Sequence, residues 1–255
     1  MRPWSPIPIE DCGEPLQALP PALLRMEPHP YMALGAPYGT SVNPFQLRLG
    51  VVQRLLDAHQ QLVEHDPRLR LSIFDAWRPI AVQAFMVHHS IAELCRERGV
   101  EARSGHAFDQ VVADVGRFWA APSRDPATPP PHSTGAAVDL TLSSSDGTPL
   151  AMGGEIDAIG AVSEPQHYAG REDSEARRWH QRRQLLAEVM GAAGFAQHPN
   201  EWWHYSFGDQ LWAWRKGAAV AVYAEAVNSA PTSFSPRFPV SSPKPARPPA
   251  AFRPR

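Results

Sequence analysis

Between residues 47 and 65 the apolar positions recur at helical spacing. Val51, Leu55, Leu56, His59, Leu62 and Val63 fall on one face, which predicts an amphipathic helix. The period then changes. Residues 69–74, Leu-Arg-Leu-Ser-Ile-Phe, alternate as a half-buried strand does, and Asp75-Ala76-Trp77-Arg78-Pro79 ends the run. Pro79 suits the first turn of a following helix, because the N–H it lacks has no intrahelical partner there. In that helix Val82, Phe85, Met86 and Ile91 face inward. Residues 137–142, Ala-Val-Asp-Leu-Thr-Leu, predict a second strand, stopped by the Ser-Ser-Ser-Asp-Gly turn at 143–147. A helix over 175–193 ends before Gly194, a residue that readily takes the left-handed conformation helix ends need. Residues 203–207 and 211–214 predict a hairpin across Gly208-Asp209. Strands and helices mix without a regular strand–helix–strand repeat. The expectation is an α+β fold, a single domain with a central, mainly antiparallel sheet flanked by helices.

Composition changes this picture at the ends of the chain. The 28 prolines among 255 residues are clustered. Residues 227–255 are rich in Pro and Ser and poor in aliphatics, too little apolar surface to offset the entropy of ordering them. The division expected is an N-terminal extension (1–30), a catalytic domain (31–226) and a disordered tail (227–255). A second proline cluster makes 121–131 a non-helical loop. The net charge of -2, from 24 basic and 26 acidic residues, offers no basic surface for nucleic acid. The two cysteines, Cys12 and Cys95, exclude a disulfide scaffold or a cysteine-rich metal site. No leader-like start and no long apolar run occurs, so a soluble cytoplasmic protein without a membrane partner is expected. Oligomeric state stays open.

The chemistry concentrates in two segments. His132-Ser-Thr-Gly-Ala-Ala-Val-Asp139 places an imidazole on the proline-stiffened loop and a carboxylate at the start of a strand. Gly135 allows the sharp turn between them. Glu201-Trp-Trp-His204 supplies another carboxylate and another imidazole. Zinc favours such nitrogen and oxygen ligands, and a catalytic site keeps a position open beyond its three protein ligands. With eleven histidines in the chain, either spacing alone is more readily structural or incidental than a metal site. The arginines at 177, 178, 182 and 183 read as a solvated helix face.

Context decides between these readings. His132, Gly135, Ala137 and Asp139 resemble the His-x-x-Gly-x-Ala-x-Asp core of the zinc D-Ala-D-Ala dipeptidases and their wider metallopeptidase family. Glu201-Trp-Trp-His-Tyr205 resembles that family's second zinc motif. Phe74-Asp-Ala-Trp-Arg-Pro79 and Met152-Gly-Gly-Glu-Ile-Asp157 resemble two further segments, in family order. The resemblance implies one Zn2+ per chain, on the sheet, held by His132, Asp139 and His204. It implies Glu201 as general base and acid, Arg78 as the oxyanion's partner, and Asp157 as the site for the ammonium group of a small dipeptide. A substrate-binding aromatic is expected in residues 31–45, with Tyr38 the choice. One position departs from the pattern. Pro130 stands where the family usually has a substrate-binding serine, and proline offers neither a hydroxyl nor an amide donor. A D,D-carboxypeptidase or L,D-peptidase on the same scaffold remains an alternative, as does a non-catalytic zinc-stabilised binding protein.

Overall fold

The computed structural model describes residues 2–39 and 42–227. The tail expected to be disordered therefore lies, from residue 228 on, outside the described residues. In chain order the elements are β1 (Leu16–Ala18), β2 (Leu24–Arg25), α1 (Pro30–Ala33), β3 (Gln46–Arg48) and α2 (Leu49–His65). There follow β4 (Leu69–Asp75), α3 (Ile80–Glu97), α4 (His106–Phe118), β5 (Ala137–Ser144) and α5 (Ser174–Ala192). The last are β6 (Ala196–Gln197), β7 (His204–Ser206) and α6 (Gln210–Lys216). One sheet runs β2-β4-β5-β7-β6, with β2 parallel to β4 and every other pair antiparallel. A small antiparallel pair, β1-β3, stands apart. The fold is α+β, as the mixed periodicities imply.

Period-two alternation explains how β5 serves two purposes. Val138, Leu140 and Leu142 point into an apolar core that includes Val51, Leu55 and Leu62 of α2 and Leu186 and Met190 of α5. Asp139, Thr141 and Ser143, buried but polar, take the opposite face. On β4, Leu71 and Ile73 belong to the core face, so Asp75 would join them if the strand were regular. It does not. The register runs Ile73 against Leu140 and then Asp75 against Asp139, so Phe74 is an extra residue. That bulge turns Asp75 onto the polar face beside Asp139.

Three expectations are corrected. Residues 211–214 form no second hairpin strand but lie in α6, because the Asp209 side chain accepts from the Trp212 N–H and caps a helix that Gly217 closes at φ 67°. Residues before 31 are no separate extension, since Leu19 and Leu23 lie in the core and β2 sits in the main sheet. Arg183 is not part of a solvated face. It is buried between the Tyr168 and Trp202 rings, with Nε donating to the Met152 carbonyl. Among the described residues no helix is long and apolar enough to cross a membrane.

Candidate functional site

The polar face of the sheet gathers the sequence-predicted ligands. His204 pairs directly with Asp139 across β7 and β5, so period two places both side chains on one face. His132 comes from a short 3-10 helix, Pro131–Thr134, and Gly135 at φ 70° turns the chain from there toward β5. A Cβ at Gly135 would also meet Leu16. Gly135→Ala is therefore expected to lower stability by about 1–3 kcal/mol, the usual range for a strained backbone position. Thermal melting would read this, and an unchanged melting temperature would remove the turn from the account.

Three ligand atoms converge here. His132 Nε2 lies 3.2 Å from Asp139 Oδ2, His204 Nδ1 lies 3.0 Å from Asp139 Oδ1, and the two ring nitrogens are 3.1 Å apart. Hydrogen bonds behind the rings decide which nitrogens carry protons. His132 Nδ1 is 2.8 Å from the Ala76 carbonyl, which can only accept, so the proton sits on Nδ1 and Nε2 is bare. Ser206 Oγ donates to Asp209 Oδ2 at 2.7 Å, leaving its lone pairs to accept from His204 Nε2 at 3.3 Å. That arrangement bares His204 Nδ1. Two bare imidazole nitrogens and a carboxylate oxygen, all buried, cannot satisfy one another by hydrogen bonding, and Asp139 Oδ1 indeed has no hydrogen-bond partner. A cation satisfies all three, and this donor set suits zinc.

Around the ligands lie the other predicted groups. Arg78, Asp157 and Glu201 line the same cavity as His132, Asp139 and His204. Arg78 is buried between the Tyr31 and Trp119 rings, at 4.9 Å from each ring centre. Its Nε and Nη2 donate to Asp75 Oδ2 at 3.0 and 2.7 Å, and Nη1 donates to Gln83 Oε1 at 2.8 Å. Burial works against charge on Asp75, but the Arg78 guanidinium and the His29 ring hold its carboxyl at about 2. Glu201 precedes β7. Burial, then the Asp139 carboxylate, push its carboxyl up to about 8. His198 Nδ1 comes within 3.3 Å of Glu201 Oε1 without hydrogen-bond alignment, so that oxygen stays unpaired. Asp157 takes φ 68°, unusual for a residue with a side chain, and accepts from the Tyr31 hydroxyl at 2.8 Å. Burial and the Asp139 charge likewise raise its carboxyl to about 8.

Tyr38 sits elsewhere. Its ring is buried outside the cavity wall, and its hydroxyl donates to Asp75 Oδ1 at 3.1 Å. Tyr31 is the aromatic of that segment that reaches Asp157 and Arg78. Both tyrosines lie in the segment singled out by sequence, but only tertiary packing distinguishes them. Asp75 and His29, which back the Arg78 guanidinium, were also unassigned.

Comparison with known proteins finds relatives over most of this chain. A family model described as D-Ala-D-Ala dipeptidase matches residues 25–224. A D-alanyl-D-alanine dipeptidase of Synechocystis sp. is 43% identical over 224 residues, covering 84% of this chain and 90% of that protein. One of Streptomyces coelicolor is 39% identical over 80 residues, covering 31% of this chain and 37% of that protein. A solved structure of a vancomycin-resistance D,D-pentapeptidase in complex with Zn(II) is 16% identical, covering 86% of this chain and 96% of that one at a TM-score of 0.42. The family match contains the segments that build the polar face, from β4 to β7, and with the near full-length relative it shows that this chain belongs to the D-Ala-D-Ala dipeptidase family of peptidases.

Proposed function

We propose that the chain is a zinc-dependent dipeptidase that hydrolyses D-Ala-D-Ala, or closely related dipeptides of cell-wall origin, to free amino acids in the cytoplasm. The observation that carries this reading is the convergence of three bare, buried ligand atoms in a cavity that Glu201 and Arg78 also line. Neither Glu201 nor Arg78 is needed to hold a metal, so their presence favours catalysis over a purely structural ion. His132, Asp139 and His204 would hold the zinc. When bound it supplies Lewis acidity, polarising the scissile carbonyl and making water easier to deprotonate.

The protein's own groups do the rest. Glu201 takes a proton from the attacking water and returns it to the leaving amine, and a carboxyl raised by burial is suited to that exchange near neutral pH. Arg78 keeps its charge and cannot swing away, because Asp75 and Gln83 hold three of its donors. A pre-oriented guanidinium beside the ligands stabilises negative charge developing on the carbonyl oxygen. Asp157 binds the substrate's ammonium group and so selects for a free N-terminus.

Metal analysis of gently purified protein is expected to find about one zinc per chain, and His204→Ala to lose it, since two remaining ligands make a poor site. The same wild-type protein is expected to release D-alanine from D-Ala-D-Ala. Full activity in a strong chelator would overturn the zinc reading. Release of a terminal D-alanine from longer peptides, with no action on the free dipeptide, would point to the carboxypeptidase alternative.

A further inference from the structure

The active-site cavity has a cation that no part of the proposed mechanism uses. Arg2 reaches it from the far end of the sequence, more than a hundred residues from every ligand. The segment that carries it is well anchored. Ile9 forms a bridge with Ala221, the Glu10 N–H donates to the Ala221 carbonyl at 2.8 Å, and Gln210 Nε2 donates to the Ser5 and Ile7 carbonyls. Trp4 is buried against His198 and Trp214. The Arg2 guanidinium packs on the Trp4 ring, 5.3 Å from its centre.

Its hydrogen-bonding contacts are to neutral groups. Nη1 is 3.2 Å from His198 Nε2, and Nη2 makes only long contacts, 3.3 and 3.4 Å, to the Gly116 and Phe118 carbonyls. Among the described residues no carboxylate pairs with it. Glu201, whose field it feels, lies nearer the rings of His198 and His204. Arg78, the other cation of the cavity, is already bonded to Asp75. Arg2 also lines a larger adjoining cavity of about 730 Å³, whose wall includes Trp119, Pro130 and Pro131. Trp119 and Pro131 belong to both cavities, so Arg2 stands where the two meet.

We propose that Arg2 is a specificity-determining residue that binds the free C-terminal carboxylate of the dipeptide. The proposal rests on the dipeptidase reading. A zwitterionic dipeptide has two charged ends and a scissile bond between them. Asp157 provides for the ammonium end, and among the described residues Arg2 is the one guanidinium lining the cavity that is not already paired with a carboxylate. A guanidinium offers a carboxylate two parallel donors, a match that Pro130 on the same wall cannot make. The consequence is selection of short substrates from both ends.

Binding and turnover test it separately. Calorimetry on the full chain carrying Glu201→Gln measures Kd for D-Ala-D-Ala and for its C-terminal amide, with and without Arg2→Ala. The acid is expected to bind about 10–100-fold more tightly than the amide, the range of a charge-assisted hydrogen bond. Arg2→Ala should erase that preference, and Arg2→Lys should restore part of it. Arg2→Gln keeps a donor for the Gly116 and Phe118 carbonyls but no charge, and should behave as Arg2→Ala does with the melting temperature unchanged. Equal affinity for acid and amide, or a preference that survives Arg2→Ala, overturns the proposal. Wild-type turnover reports on the other reading alone: a chain that shows this preference but cleaves no dipeptide keeps Arg2 as the carboxylate site and loses the hydrolase assignment.

Discussion

Glu201→Gln is expected to lower kcat about 10²–10⁴-fold, the contribution of a positioned general base, while zinc stays at one per chain. Glutamine keeps the size of the side chain and most of its packing but cannot take a proton. The distinction from a ligand rests on geometry. His132 Nε2, Asp139 and His204 Nδ1 face one another at 3.0 to 3.2 Å. Glu201 Oε2 stands farther off, 3.6 Å from His204 Nδ1. Replacing a ligand removes the metal and the activity together; replacing Glu201 separates them. The same buried carboxylate has a cost in the metal-free protein, where its carboxyl sits at about 8 instead of in the usual acidic range. Zinc content and kcat measured on one preparation decide the matter. A variant that loses its metal would make Glu201 a ligand, and one that retains more than about a tenth of the rate would take away its proton-transfer role.

How far the sequence alone reaches depends on whether a residue's role is set locally. The periods of β4, β5, α2 and α5 are local properties, and the sequence reads each of them within a residue or two, as it does the start of α3. Helix α4 also carried a readable signal, since Val111, Val115 and Phe118 bury one face. The Asp209 cap on α6 was equally local, and Trp212 and Trp214 after Leu211 disguised it as a strand. The candidate metal ligands could be picked out because they fall in two compact motifs, and strand pairing then needs only one register to bring Asp139 and His204 together. What stayed hidden depends on distant packing. Phe74 gives no sign that it is the extra residue that rotates Asp75 onto the site face. Tyr31 and Tyr38 look alike until the chain folds over Arg78. Nothing around Arg2 announces that it reaches the cavity.

N-acetylation of D-Ala-D-Ala is expected to lower kcat/KM by roughly 10²–10³-fold, because it removes the charge that Asp157 is proposed to meet. Asp157 is held under strain at φ 68°, and its one hydrogen-bonding neighbour among the described residues, the Tyr31 hydroxyl, cannot neutralise it. Its carboxyl, raised to about 8 by burial and by Asp139, is an unfavourable group in the substrate-free protein. An ammonium ion reverses that penalty; an acetamide does not. The same shift predicts how stability changes when the group is replaced. Asp157 titrates near 3.9 in the unfolded chain and near 8 in the folded, metal-free one. Between those values the unfolded state ionises while the folded state keeps its proton, so Asp157 costs the folded protein progressively more from about pH 4 to pH 8 and no more above. Asp157→Asn carries no such cost. Its melting temperature should exceed that of the wild type by roughly several degrees, with the margin widening from pH 5 to pH 8. On the free dipeptide the same variant should lose most of its kcat/KM, and on the acetylated dipeptide it should lose little. Rates that are equal for blocked and free dipeptides in the wild type would exclude Asp157 as the ammonium site. A melting temperature that falls on Asp157→Asn would show instead that the carboxylate supports the fold.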